Sequence, residues 1–541
     1  MSTTSARGVA PTAQAAGTLP KQIPFIIGNE ACERFSFYGM RNILTAFLVG
    51  WLLLDQADVQ AREAEAKEVF HVFVMGVYFF PLLGGWLADR FLGKYRTILW
   101  LSLVYCVGHA FLAIFEGSKA GFYTGLFLIA LGSGGIKPCV SAFVGDQFDS
   151  TNKHLARVVY DAFYWIINFG SFFASLLIPI TLELYGPSVA FGIPGLLMFV
   201  ATVIFWLGRH RYVNVPPSAA DPHSITRIAR TALLARKAGA GRPGLALAVL
   251  GLALGGLSLL AGLLTQLGAA PAWMPEIPLV TGFCLALVLV LAGAGAGTVL
   301  QLDRARGQHP DEEIEAVRSV LRVLVLFALV TPFWSLFDQK ASTWILQGRA
   351  MELPGWSWFK SASQMQALNP LLVMALIPFN NLVLYPGLGR LGVRVTPLRR
   401  MTAGIVFAGI SWIVVGAIQL AMDGGTAVSI LWQALPYALL TFGEVLVSAT
   451  GLEFAYSQAP AKMKGVIMSF WTLSTTIGNL WVLLVNAGVR NESVERAIAG
   501  TGLGVAAFQM FFFAAFAFLA ALAFGLYARR YRMADHYRAA A

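Results

Sequence analysis

Long apolar runs separated by short polar connections recur along this chain, and each run is long enough to cross a bilayer as a helix. The first six runs cover residues 23–54, 68–88, 97–116, 121–144, 158–182 and 188–207. Two Gly/Ala/Leu-rich runs, 245–268 and 277–300, follow a basic loop and carry no ionisable side chain in their interiors. The last six cover 319–347, 366–389, 402–421, 430–452, 464–487 and 505–530. The pattern predicts an all-α polytopic membrane protein with about fourteen spans: two six-helix bundles plus an inserted two-helix hairpin. The expected units are a disordered cytoplasmic tail (1–20), a first bundle (21–210), a basic cytoplasmic linker (211–243), the hairpin (244–302), a second bundle (303–533) and a C-terminal tail (534–541). Six plus six with a linker is the layout of a pseudo-symmetric transporter, although the halves share no strong sequence repeat.

The polar positions inside the apolar runs change this picture most. In the first run, Glu30, Glu33, Arg34, Tyr38 and Arg41 fall within an arc of about 140° at helical spacing, so one helix face carries all five. Four ionisable groups at membrane depth cost on the order of 10 kcal/mol unless they pair or meet water, which predicts a wet pathway. His71 and Tyr78, seven apart, share a face of the second run. His71 is readable either as a bonded core histidine or as a protonatable gate. Lys137 lies in Gly132-Ser-Gly-Gly-Ile-Lys-Pro-Cys, where it either snorkels or serves a cavity shaped by the glycines and Pro138. This is not a phosphate loop, for it lacks the Gly-Lys-Ser/Thr ending. Tyr164 and Asn168, Trp334 and Asp338, and Glu444 and Ser448 are each four apart. The structural alternatives are interhelical glue for Asn168 and a solvated helix end for Asp338 or Glu444. Asn369 precedes Pro370, which favours a local break. The first half thus offers Arg34, Arg41 and Lys137 and the second Asp338 and Glu444, a cleft suited to a zwitterion.

Composition agrees: 57% of residues are hydrophobic and 12% charged, far from a soluble domain. The net charge of +11 does not indicate nucleic acid, because Lys and Arg cluster between apolar runs: Arg209 and Arg211 through Arg242, Arg304 and Arg306, Arg390 to Arg400, Lys462 with Lys464, and Arg529 to Arg538. The positive-inside rule then places both termini in the cytoplasm. Four cysteines, Cys32, Cys106, Cys139 and Cys284, fall inside runs and read as packing residues.

The link Gly84-Gly-Trp-Leu-Ala-Asp89-Arg90-Phe-Leu-Gly-Lys94 resembles the signature loop of the major facilitator superfamily. Glu30-x-x-Glu33-Arg34-Phe-x-Phe-Tyr-Gly closely resembles the Glu-x-x-Glu-Arg motif of the proton-dependent oligopeptide transporter family. Gly134-Gly-Ile-Lys-Pro with Asp146-Gln-Phe, and Phe163-Tyr-x-x-Ile-Asn-x-Gly-Ser, look like two further signatures. The likeness runs on through Trp334, Asn369, Glu444 and Met468-Ser-Phe-Trp471. The resemblance implies the major facilitator fold and a proton-coupled symporter importing di- and tripeptides by alternating access, of the bacterial branch, in the cell (inner) membrane. It implies that Arg34, Tyr38 and Lys137 hold the peptide carboxylate and that Asn168, Asn369 and Glu444 hold the amine. Tyr78, Tyr164, Trp334, Ser448 and Trp471 would line side-chain pockets. Glu30 and Glu33, with Arg34, would couple protons, and Arg41 would pair with Asp338 in the extracellular gate. Where the family often has Tyr-Tyr before the glycine, this chain has Phe37-Tyr38, so one hydroxyl is missing.

The expected partners are peptides, protons and membrane lipid, with no nucleic acid, no cofactor and no metal, in a monomer. The alternatives are the same fold carrying nitrate or another small anion, and a non-transporting peptide sensor. An intramembrane hydrolase would need a nucleophile with its base or a metal-ligand set. Neither His-Glu-x-x-His nor Gly-x-Ser-x-Gly occurs, and His71, His109 and His154 are scattered.

Overall fold

The structure, a computed structural model, describes residues 19–148, 155–217, 222–236, 241–271, 274, 277–458, 463–489 and 492–531. The tail 1–18, His154, Lys462 and the stretch from 532 onward lie outside the described residues.

The first bundle contains α1 (Ile23–Phe47), α2 (Val59–Leu87), α3 (Lys94–Ile114), α4 (Lys119–Asp146), α5 (Ala156–Tyr185) and α6 (Pro187–Leu207). A linker helix, α7 (Ile225–Leu234), precedes the hairpin α8 (Pro243–Gln266) and α9 (Leu279–Gln301). The second bundle contains α10 (Asp311–Asp338), α11 (Thr343–Arg349), α12 (Leu368–Phe379), α13 (Tyr385–Arg390), α14 (Pro397–Asp423), α15 (Ala434–Gln458), α16 (Lys464–Val489), α17 (Glu492–Ala499) and α18 (Val505–Arg530). Among the described residues thirteen helices are long and apolar enough to cross a membrane. The charged α1 falls outside that count, yet it packs between α5 and α6 inside the first bundle.

Several boundaries differ from the hydropathy reading, each for a local reason. The second helix begins at Val59 rather than 68, because the Asp58 side chain caps it by accepting from Gln60 N at 3.0 Å. α10 begins at Asp311, where Asp311, Glu312 and Glu313 favour the positive end of the helix dipole. It stops at Asp338. A 3₁₀ turn, Gln339–Ala341, and the short α11 replace what hydropathy reads as one continuous helix. The basic linker contains α7, which hydropathy misses because it is short and amphipathic; its Ile228 and Ala232 are buried against the second bundle.

Close helix approach positions the site. Glycines 132, 134 and 135 of α4 let its backbone lie against α2 and α3. A Cβ on Gly134 would come within 2.7 Å of Val77 O, and one on Gly84 of α2 would collide with the Gly135 carbonyl. That seam brings Lys137 beside Tyr78. In the hairpin, Gln301 Oε1 accepts from Gly244 N at 2.6 Å and so caps α8 from the far end of α9.

Hydrogen bonds between the two halves gather at the end remote from the basic connections. Thr45 Oγ1 donates to Ala341 O (2.7 Å), Gln366 Nε2 to Asn42 O (2.8 Å) and Arg349 Nη1 to Ala46 O (3.3 Å). This end is sealed. Toward the other end Tyr164 of α5 is 45% exposed.

Gly84→Val should cost about 3 kcal/mol by forcing the α2–α4 seam apart. The readout is melting temperature and monodispersity in detergent. A variant as stable as the parent would mean that the seam opens without cost.

Candidate functional site

A cavity of about 180 Å³ lies between the halves below the seal. α1 contributes Phe37, Tyr38, Arg41 and Asn42, and α2 contributes Tyr78. From the second half come Trp334, Phe337 and Asp338 of α10, Lys340 of the following turn, Asn369 of α12, and Glu444 and Ser448 of α15. The cavity is smaller than the roughly 300–1,000 Å³ of sites that enclose drug-sized ligands.

Its roof is a charge network that crosses between the halves. Arg41 Nη2 donates to Asp338 Oδ1 at 2.7 Å, with both side chains buried. The other carboxylate oxygen accepts from Asn479 Nδ2 at 2.7 Å. His71, fully buried, shares hydrogen bonds with Asn479 Oδ1 (2.6 Å) and Ser342 Oγ (2.9 Å). Each oxygen of Asp338 therefore has a partner, as a buried carboxylate requires. His71 belongs to this roof and not to the cavity lining, whereas Tyr78 faces the cavity.

The second-half wall carries another network. Asn369 Nδ2 donates to Glu444 Oε2 (2.5 Å) and to Thr441 Oγ1 (3.0 Å), while Asn369 Oδ1 accepts from Lys340 Nζ (2.9 Å). The Lys340 ammonium also lies 3.3 Å from the Phe337 ring centroid. This wall is therefore less negative than Asp338 and Glu444 alone imply. Trp334 Nε1 is buried without an acceptor on the same wall, a donor available to a bound molecule.

The remaining first-half charges sit two turns from Arg41 along α1. Arg34 Nε contacts Glu30 Oε1 at 3.0 Å and the carboxylate of Glu33, and Glu33 accepts no well-aligned hydrogen bond from any described residue. Both Arg34 (5.8 Å) and Lys137 (4.1 Å) lie over the Phe37 ring, and Lys137 lies 4.8 Å from the Tyr78 ring. Phe37, where a hydroxyl is missing, thus presents a π face to two cations. Neither Arg34 nor Lys137 lines the cavity in this sealed arrangement.

The structure brings together Tyr38, Arg41, Tyr78, Trp334, Asp338, Asn369, Glu444 and Ser448. It holds others apart: Asn168 Nδ2 donates to Tyr164 O of its own helix (3.0 Å), and Tyr164 is exposed outside the cavity lining. Trp471 packs behind the wall, edge-on to Trp334 at 5.9 Å. Sequence reasoning missed Lys340, although it is an ionisable residue two positions after Asp338 in an apolar setting, the same signal that singled out Lys137. It also missed Asn479, a lone amide in an apolar run.

A family model described as POT family (PTR2) matches residues 95–498. Among solved structures, this chain is similar to an auto-inhibited POT family peptide transporter: 67% identity, 96% of this chain and 99% of that one covered, TM-score 0.91. It is likewise similar to the POT family transporter PepTSo: 64% identity, 96% and 100% covered, TM-score 0.91. Peptide transporter 3 of Caenorhabditis elegans is 30% identical over 502 residues, 90% of this chain and 62% of that protein. Solute carrier family 15 member 2 of Danio rerio is 32% identical over 74% of this chain and 50% of its own length. The chain thus spans between half and two thirds of the length of these two relatives.

Asp338→Asn should release both Arg41 and Asn479 and weaken the seal, since breaking a buried pair typically costs about 3–5 kcal/mol. In a Tyr78→Cys background, labelling by a membrane-impermeant maleimide from the sealed side should rise several-fold; unchanged labelling would show that the seal does not depend on this pair.

Proposed function

Because this chain belongs to the POT family, a family of transporters and not of enzymes, we propose that it is a proton-coupled symporter importing di- and tripeptides by alternating access between its halves. The observation that carries the reading is the Lys340–Asn369–Glu444 network: an ammonium already sits on the Asn369 amide oxygen, and the amide nitrogen holds the Glu444 carboxylate, the two groups that a peptide amine would engage. A peptide amine can replace it with no net change of charge on the wall. Asn168 would join from α5 as the groove narrows.

At the opposite end of the ligand, Arg34 and Lys137 would take the carboxylate, assisted by the Tyr38 hydroxyl. Arg34 is held by Glu30 and Glu33 until one of them takes a proton. Protonation then frees the guanidinium for the peptide, which couples the two movements. Trp334, Tyr78, Tyr164, Ser448 and Trp471 would shape the side-chain pockets, and Arg41 with Asp338 would gate the sealed side. A proton moving down about 100 mV contributes roughly 2.3 kcal/mol, and each pH unit about 1.4. Together these sustain an accumulation of a few hundredfold.

The chain is a multi-pass membrane protein. We place it as a monomer in the inner membrane with both termini inside and the sealed end facing outward, because Arg209, Arg304, Arg390 and Arg529 lie at the opposite end. Nitrate or another bare anion is a poorer cargo, for Glu444 would face it across the cavity.

In proteoliposomes, an imposed acid-outside gradient should accelerate dialanine uptake and drive its accumulation. Glu33→Gln should abolish accumulation and keep peptide counterflow. Uptake indifferent to the gradient, or a Glu33→Gln protein that still concentrates peptide, would overturn the proposal.

A further inference from the structure

A second cavity, about 1,800 Å³, lies away from the central site, on the flank where the hairpin meets both halves. Its walls come from α2 and α4, from α8 and α9, and from α16, α17 and α18 with the end of α14. The lining changes character along α2. Glu63, Glu65 and Glu68 come first in its charged turns, and Val72, Met75 and Phe79 follow in its apolar stretch. Phe283 of the hairpin meets Phe79 edge-on at 5.8 Å.

Length, polarity and charge each restrict the occupant. From Glu63 to Phe79 is 16 residues, about 24 Å along a helix. One leaflet with its headgroups is about 20–22 Å deep. A lining that runs from carboxylates to phenyl rings over that length fits one amphiphile standing parallel to the bilayer normal. Among the described residues that line the cavity, six are carboxylates, Asp58, Glu63, Glu65, Glu68, Asp423 and Glu495, against one lysine, Lys67. An anionic headgroup is repelled there and a cationic group attracted.

A buried amide supplies an independent pointer to a ligand. Asn486 lines the cavity at 8% exposure; its Oδ1 accepts from Gln509 Nε2 at 3.2 Å, and its Nδ2 has no partner among the described residues. A buried donor left open costs about 1–3 kcal/mol. Asn486 lies one turn from the end of α16 and Gln509 one turn into α18, near the helix ends that also carry Asp423 and Glu495.

We propose that this cavity binds one phospholipid with an ethanolamine headgroup. The primary ammonium donates to the rim carboxylates, an ester or phosphate oxygen accepts from Asn486 Nδ2, and an acyl chain lies between α2 and the hairpin down to Phe79 and Phe283. A choline headgroup has no N–H to donate, and a glycerol headgroup leaves the lipid anionic. The lipid touches both halves and the hairpin at the sealed end, so the hairpin forms one wall of a lipid clamp.

The test is native mass spectrometry of the full-length protein exchanged into detergent with equal amounts of dioleoyl phosphatidylethanolamine, phosphatidylcholine and phosphatidylglycerol. One ethanolamine lipid should be retained about fivefold over the others, the scale of one ammonium beside fixed opposite charge. Glu63→Gln/Glu65→Gln, on the rim, should erase that preference. Val72→Trp, which fills the slot, should remove the bound lipid altogether. If Val72→Trp yields no folded protein, the rim variant alone decides. Equal retention of the three lipids, a preference for phosphatidylglycerol, no retained lipid, or an ethanolamine preference that survives the rim variant would each overturn the proposal.

Discussion

Charge removed from water must be matched, and that constraint shapes this molecule more than any other. Arg41 and Asp338 are on different halves, and each is the other's principal counter-charge. Burying either alone would cost several kcal/mol, so the halves close only where the pair can form. The closure is then completed by groups that bond to this pair or lie beside it: Asn479 on the second carboxylate oxygen, His71 on Asn479, Ser342 on His71. A seal built this way is conditional. It holds while its charges are satisfied by one another and can be exchanged for one satisfied by something else.

The same logic runs through the rest of the cleft. Lys340 bonds Asn369, Asn369 bonds Glu444, and Glu30 with Glu33 satisfies Arg34, so the charges of the site largely offset one another. A ligand with an ammonium at one end and a carboxylate at the other replaces internal partners one for one. Alternating access follows from pairing that is complete with the ligand or without it but incomplete in between. The proposed lipid clamp extends this principle to the flank, where a carboxylate rim complements an amine and the Asn486 amide an oxygen.

Much of this was legible in the sequence because membrane burial makes polar residues conspicuous. Arg41 and Asp338 stand out in apolar runs 297 positions apart, and the structure pairs them. Lys137 stands out equally, and the glycines before it deliver it to Tyr78. Lys340 and Asn479 were not read, because Lys340 adjoins a helix end where a lysine usually snorkels and because a single amide resembles ordinary interhelical glue. The break after Asp338 was invisible to hydropathy, for Gln339–Ala341 and α11 continue an apolar stretch across Ser342, whose backbone (φ −128°, ψ −82°) is not helical. The early start of α2 was equally hidden, since its first turns are charged and helical at once. Spans are legible from composition; the turns that aim side chains into the cleft depend on tertiary contacts.

The central claim is that peptide and proton exchange places with internal ion pairs, and proton counting tests it most directly. Dialanine binding can be followed by calorimetry at one pH in buffers of different ionisation enthalpy, which separates the heat of binding from the heat of moving protons. The account predicts uptake of about one proton per peptide near neutral pH, as a carboxylate on α1 releases Arg34. A binding heat that is the same in every buffer, with peptide demonstrably bound, would contradict it.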